Sequence, residues 1–450
     1  MRQNGNSGSY LWSNPALVIL AGLALLLIWG VTRVELAPGW NLKIVSPSAG
    51  SGDEPHYLIV VNSILFDHAL ELQDDYERVR RGGLEAGRRA SGGLPDHHTI
   101  LVNRRTGHHA LWMSSIAEVV IGRPFGIRNS LPEFAPSPDV YEVPAHPVAF
   151  PALLALALAP LHPSVNNVEP DVGFVLALIA WAGTLATYLM ARRGGFSRGP
   201  AILAAAVLLL ASPWLPYCRE YYPETTIGLT LALAIWAWSD DRPGLASFFA
   251  AGAAIMKPSF AVVGAGFVIE AMRERRVRDA IKMAVILSIC AVALCAFNYW
   301  LAGTPLIWGS EAWRPSADMR QLPETLLGSS HGLFIFAPWT IFAMFALANA
   351  FDQFDADSAM LRRMAMPIVL YLILLVIVGF SPQFCYGPRY WVAFLPWLAV
   401  ATMQAMRTAK RKGRIACALL IGLAMAIAIP AALRLPQLYS TPAWAAWQGL

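Results

Sequence analysis

The chain has 450 residues, of which 56% are hydrophobic and only 14% charged, and its mean hydropathy is +0.48. A water-soluble chain of this length would need far more charge to cover its surface, and repeated apolar runs near the bilayer-spanning length occur instead, so this is a polytopic membrane protein. The net charge of +5 would point to nucleic acid in a soluble protein. Here the basic residues cluster in short connections between apolar runs, so topology accounts for them and no nucleic-acid partner is expected.

In chain order, the first apolar run, about 15–32, is too long for a signal-peptide core and has no small-residue cleavage site behind it, so a retained helix is expected. The next, Tyr57 to Leu70, is short for a span and predicts a juxtamembrane helix. From Glu71 to about Arg105 the chain is polar, rich in Gly and Arg and without helical periodicity, which predicts a mobile loop. Further spans are predicted at about 171–191, 199–217, 225–239, 244–257, 258–272, 279–300, 331–350, 364–381, 390–406 and 415–433, about eleven in all.

The basic connections at 192–198, 273–278, 362–363 and 407–414 then all fall on one face, cytoplasmic by the positive-inside rule. Counting Val148 to Leu161 as a further span would push Arg192 and Arg193 outside, so that run is assigned to an interfacial helix. The fold expected is all-α and polytopic, with a long external first loop carrying interfacial helices. Its segments are 1–32, the N-terminus and first span; 33–170, the external loop; 171–433, the helical core; and 434–450, a short external tail.

This threading brings Asp53, Glu54, Glu224, Lys257, His331 and Arg389 to the external ends of helices. Ionisable groups at membrane depth are costly, so they line hydrated cavities and pair with something. Each also has a plainer reading. Asp53 and Glu54 would serve as solvated loop carboxylates, Glu224 as a helix-end charge, and Lys257 and Arg389 as snorkelling cations. The many Trp and Tyr, among them Trp214, Tyr217, Tyr221, Tyr222, Trp300, Trp308, Trp313, Tyr390 and Trp391, sit where an aromatic belt is expected.

The five cysteines show no metal-ligand or CxxC spacing, although Cys218 and Cys385, both at external span ends, would allow a disulfide in an oxidising compartment. The pairs His97–His98 and His108–His109 lack ligand spacing and are assigned to surface loop. No GxxxxGK[ST] loop occurs, which argues against a nucleotide-driven machine, and no internal repeat of a transporter kind is evident.

The ordered motifs GDEPHYL, YEVPAHP, ARRGGF, PWLPYCREYYPE, AAIMKPSF, SSHGLFIFAPW and YGPRYWVAFLP resemble those of the GT-C superfamily of integral-membrane glycosyltransferases. The likeness is closest to the protein O-mannosyltransferase-like branch, whose relatives include lipid A aminoarabinose transferases. It implies a polyprenyl-phosphate sugar as donor, a glycan, glycolipid or protein as acceptor, and an active site facing the periplasm or exterior of the inner (plasma) membrane. On that resemblance Asp53 and Glu54 are the catalytic carboxylates, with Asp53 the base; in an extended segment followed by proline Glu54 cannot point the same way, so it binds donor sugar hydroxyls, orients the loop or shares a metal. Arg389 and Lys257 bind the donor phosphate, and Glu224, His331, His146 and Tyr390 surround the substrate or a metal ion. A divalent cation is admitted by the acidic residues but demanded by none of their spacings. A transporter or flippase of a lipid-linked sugar, and an inactive scaffold of envelope glycan assembly, are the alternatives. External charges alone would suit all three.

Overall fold

The computed structural model describes residues 34–37, 41–44, 53–80, 98–113, 132–135, 137–164, 168–218, 220–305, 319, 321–351, 353, 358–378, 385–434 and 442–447. The expected first span at 15–32 and most of the 434–450 tail lie outside them. The region before the helical core begins with a hairpin, β1 (Val34–Ala37) and β2 (Asn41–Ile44). It continues with α1 (Glu54–Asn62), which widens into a π turn at Ser63–Asp67, and α2 (Gln73–Arg80). Strands β3 (His98–Asn103), β4 (His109–Met113) and β5 (Val140–Pro144) form an antiparallel sheet in the order β4-β3-β5. Helix α3 (Ala149–Leu158) follows where an interfacial helix was expected.

The loop prediction for 71–105 needs correction, since α2 and β3 both fall within it. The run His98–Asn103 holds only the short apolar stretch Ile100–Val102, too brief to stand out beside its Gly- and Arg-rich neighbours, and it is ordered by pairing with β5, for instance Ile100 opposite Val143. Three of the paired histidines fall in this sheet and its turn: His98 begins β3, His109 begins β4, and His108 Nδ1 lies 2.7 Å from Glu133 Oε2, while His97 lies outside the described residues.

The core runs through α4 (Val168–Arg193), α5 (Arg198–Leu210), α6 (Glu224–Ser239), α7 (Pro243–Met256), α8 (Ala261–Arg273) and α9 (Val277–Ala302). After α10 (Gln321–Leu327) come α11 (Thr340–Phe351), α12 (Ala359–Val378), α13 (Leu395–Thr408) and α14 (Arg411–Arg434). Every predicted span from 171 onward thus coincides with an apolar helix. Four of these, α4, α9, α12 and α14, are long and apolar enough to cross a membrane unaided. The outward stripes Ile281, Val285, Ile289 and Val292 of α9, and Ile415, Leu419 and Leu423 of α14, are exposed at helical spacing, as lipid-facing surfaces require.

The other core helices are shorter because proline interrupts them. Helix α5 stops before Pro213, and a single turn, Trp214–Tyr217, resumes beyond it. Lys257, in an extended conformation before Pro258, separates α7 from α8, and Ala337–Pro338–Trp339 separates the turn Leu333–Phe336 from α11. Fourteen helical residues rise about 21 Å, against a hydrocarbon core of about 30 Å. Helices α6, α7 and α13 are therefore too short to cross unaided.

At the opposite end the basic connections come together on acidic partners. Arg193 meets Asp240, Arg276 meets Asp241 and Asp279, Arg363 clasps Glu274 through two nitrogens at 2.8 and 2.9 Å, and buried Arg362 meets buried Glu270 at 3.0 Å.

Candidate active site

A chain of alternating charges lies at one end of these short helices. Asp53 caps the start of α1 in a helical conformation, with its carbonyl closing the first turn onto the Tyr57 N–H at 3.2 Å. Its carboxylate makes no capping bond and instead accepts from Arg389, Nη2 to Oδ2 at 2.8 Å. Arg389 opens the turn Arg389–Val392 directly after Pro388, and its Nε donates to Glu224 Oε1 at 2.8 Å. The same oxygen accepts from Lys257 Nζ at 2.6 Å.

Glu224 begins α6 and is completely buried, and its Oε2 has no hydrogen-bond partner among the described residues. Both cations rest on tyrosines, Arg389 Cζ 3.9 Å above the Tyr222 ring and Lys257 Nζ 4.8 Å above Tyr390. Burial works against the charge on Arg389, but Glu224 and Asp53 outweigh it and push its pKa up. Burial, then the charge of Asp53, keeps the Tyr57 hydroxyl protonated, and burial, then Glu54, does the same for Tyr222.

The remaining candidates divide. His146 lies beside Asp53, Nε2 to Oδ1 at 3.8 Å, with its ring packed against Tyr57 and His56. Glu54 turns away. The sequence reading took this stretch as extended; it is helical, and successive helical side chains diverge by about 100°. Buried Glu54 accepts the Tyr221 N–H at 2.8 Å and so ties the 217–224 loop to α1. His331 stands apart, with its Nε2 buried and unpartnered among the described residues.

The aromatic-belt assignment also needs correction. Trp214, Tyr217, Tyr221, Tyr222 and Trp391 are fully buried in the core, whereas Trp300 is exposed. Tyr222 and Tyr57 were not singled out as site residues, and nothing in the sequence marks which tyrosine will lie under a cation. Cys218 and Cys385 are free thiols. Trp308 and Trp313 lie outside the described residues.

Among the described residues no group of three or more His, Cys, Asp or Glu could hold a metal ion. The donor set explains why a divalent cation does not fit here: the two carboxylates are bridged by a guanidinium, and an ammonium takes the same Glu224 oxygen. Such an ion would meet two fixed positive charges. A cavity of about 1020 Å³ opens beside the β4-β3-β5 sheet, lined by residues including Glu71, Arg104, Tyr141, Val148 and Trp300. Val148 is two residues from His146.

No protein-family model matches the chain, and no curated protein sequence does. Solved structures do. The chain is similar in fold to the crystal structure of ArnT from Cupriavidus metallidurans bound to undecaprenyl phosphate, with a TM-score of 0.52 over 93% of this chain at 12% identity. It is similar also to that of ArnT in the apo state, with a TM-score of 0.51 over 92% of this chain at 13% identity. The chain spans 64% of the length of each of these structures. The largely helical, polytopic architecture expected from the sequence is the architecture found, and it is the fold shared with these two structures, in a multi-pass membrane protein.

Proposed function

We propose that this protein transfers a sugar from a polyprenyl-phosphate donor to an acceptor on the extracytoplasmic face of the inner membrane. The observation that carries this reading is the charge chain Asp53–Arg389–Glu224–Lys257, set at the bundle end opposite the basic connections. It is supported by a fold shared with a protein crystallised with undecaprenyl phosphate.

The residues suit an inverting displacement. Asp53 takes the proton of the acceptor hydroxyl or amine as the acceptor atom forms its bond to the anomeric carbon. The bond from that carbon to the phosphate oxygen breaks, its electron pair stays on the oxygen, and polyprenyl phosphate leaves. Arg389 stabilises the charge developing on the phosphate, and Lys257 adds a point charge. Glu224 holds both cations in place, and Tyr390 shelves Lys257. Glu54 orients the 217–224 loop rather than touching substrate. The cavity beside Val148 offers the acceptor a place next to His146.

The test is transfer by purified protein in nanodiscs, using radiolabelled polyprenyl-phosphate hexose, pentose and amino-sugar donors with envelope glycolipids and glycans as acceptors. Asp53→Asn is expected to lower the rate by roughly 10²- to 10⁴-fold, and the product should be inverted at the anomeric carbon. Retained stereochemistry sinks the mechanism. Flux of lipid-linked sugar across proteoliposomes with no covalent product would favour the transporter instead.

A further inference from the structure

The two groups that the proposed reaction needs are paired with each other. Asp53 Oδ2 accepts from Arg389 Nη2 at 2.8 Å. A carboxylate facing a guanidinium is a weaker base, and a guanidinium already committed to a carboxylate has fewer N–H groups for a phosphate. Arg389 has a second anchor, its Nε on Glu224 at 2.8 Å, and its Cζ lies over Tyr222 at 3.9 Å. The guanidinium can therefore release Asp53 without leaving its seat. The two carboxylates are not equally replaceable: the Glu224 side chain is 0% exposed and that of Asp53 25%, so an incoming anion reaches Asp53's side of the guanidinium first.

We infer that the Asp53–Arg389 ion pair is a lock opened by the donor: its phosphate takes Arg389 Nη2 from Asp53, and the freed carboxylate becomes a competent base only once donor is bound. This rests on the glycosyltransferase reading. The consequence is a compulsory order, donor before acceptor activation. The same pair assists release. After transfer Asp53 carries the acceptor's proton; when that proton passes to water, the carboxylate competes again for Arg389 and displaces polyprenyl phosphate.

The experiment is equilibrium binding of polyprenyl phosphate to the full chain in nanodiscs, for wild type, Asp53→Asn, Asp53→Ala and Arg389→Met. Affinity is normalised to the monodisperse fraction, so that a poorly folding variant does not pass for a weak binder. The lock predicts that both Asp53 variants, though inactive in transfer, bind polyprenyl phosphate more tightly than wild type by on the order of tenfold, and that Arg389→Met binds weakly. If the Asp53 variants bind as wild type does, or less well, while Arg389→Met loses binding, the lock is overturned and the transferase reading stands. If wild type itself does not bind polyprenyl phosphate, that reading falls and the lock with it.

Discussion

Glu224 neutralises two cations through a single oxygen while wholly buried, and that makes it the most sensitive position in the charge chain. Removing one member of a buried ionic group leaves the others uncompensated, at a cost of about 3–5 kcal/mol. Glu224→Gln is therefore expected to lower the apparent unfolding temperature markedly in detergent. Adding Lys257→Met should return part of that loss, because it removes one of the two stranded cations. A thermal-unfolding double-mutant cycle measures this, and strictly additive effects would mean that the pair is not coupled. Asp53, Glu224, Lys257 and Arg389 were all legible as external helix-end charges. The divergence of Glu54 from Asp53 was expected, though from an extended backbone where the structure has a helical one, and Tyr222 was missed because its role depends on where a distant arginine comes to rest.

Short helices and the segments that end them place the site. The turn after Pro213 is held by Trp214, whose indole lies between α4 and α6 and donates to the Ala180 carbonyl at 3.2 Å. Two glycines make the space: a Cβ at Gly183 would stand 2.5 Å, and one at Gly228 2.6 Å, from the Trp214 ring. Gly228→Ala is thus expected to destabilise by about 1–3 kcal/mol through overpacking. Because α6 carries Glu224, transfer activity should fall as well. Thermal unfolding and initial rates check this, and an unchanged melting curve would mean that the indole yields without cost. A third close approach, Gly266 against the backbone of Pro367, joins α8 to α12. Prolines and apolar runs announced these helices and their ends, whereas the small strands before the helical core, only 4–6 residues each, did not rise above their loops.

Across the whole molecule the charges separate into two ends, the chain Asp53–Arg389–Glu224–Lys257 at one and the Arg193, Arg276, Arg362 and Arg363 network at the other. In a cysteine-free background, a single cysteine at exposed His68 should react with a membrane-impermeant maleimide in intact spheroplasts, and one at exposed Arg278 only after lysis. The reverse pattern would invert the topology and remove the extracytoplasmic active site. The membrane class, the helix positions and the gathering of basic connections on one face were determined by the sequence alone, since hydropathy, proline and short-loop charge act over a few neighbouring residues. Which charges pair was decided only by the tertiary structure: Arg389 meets Asp53 across 336 residues and Glu224 across 165. Such contacts arise where helices remote in the chain pack side by side, and no local pattern encodes which side chains will meet there.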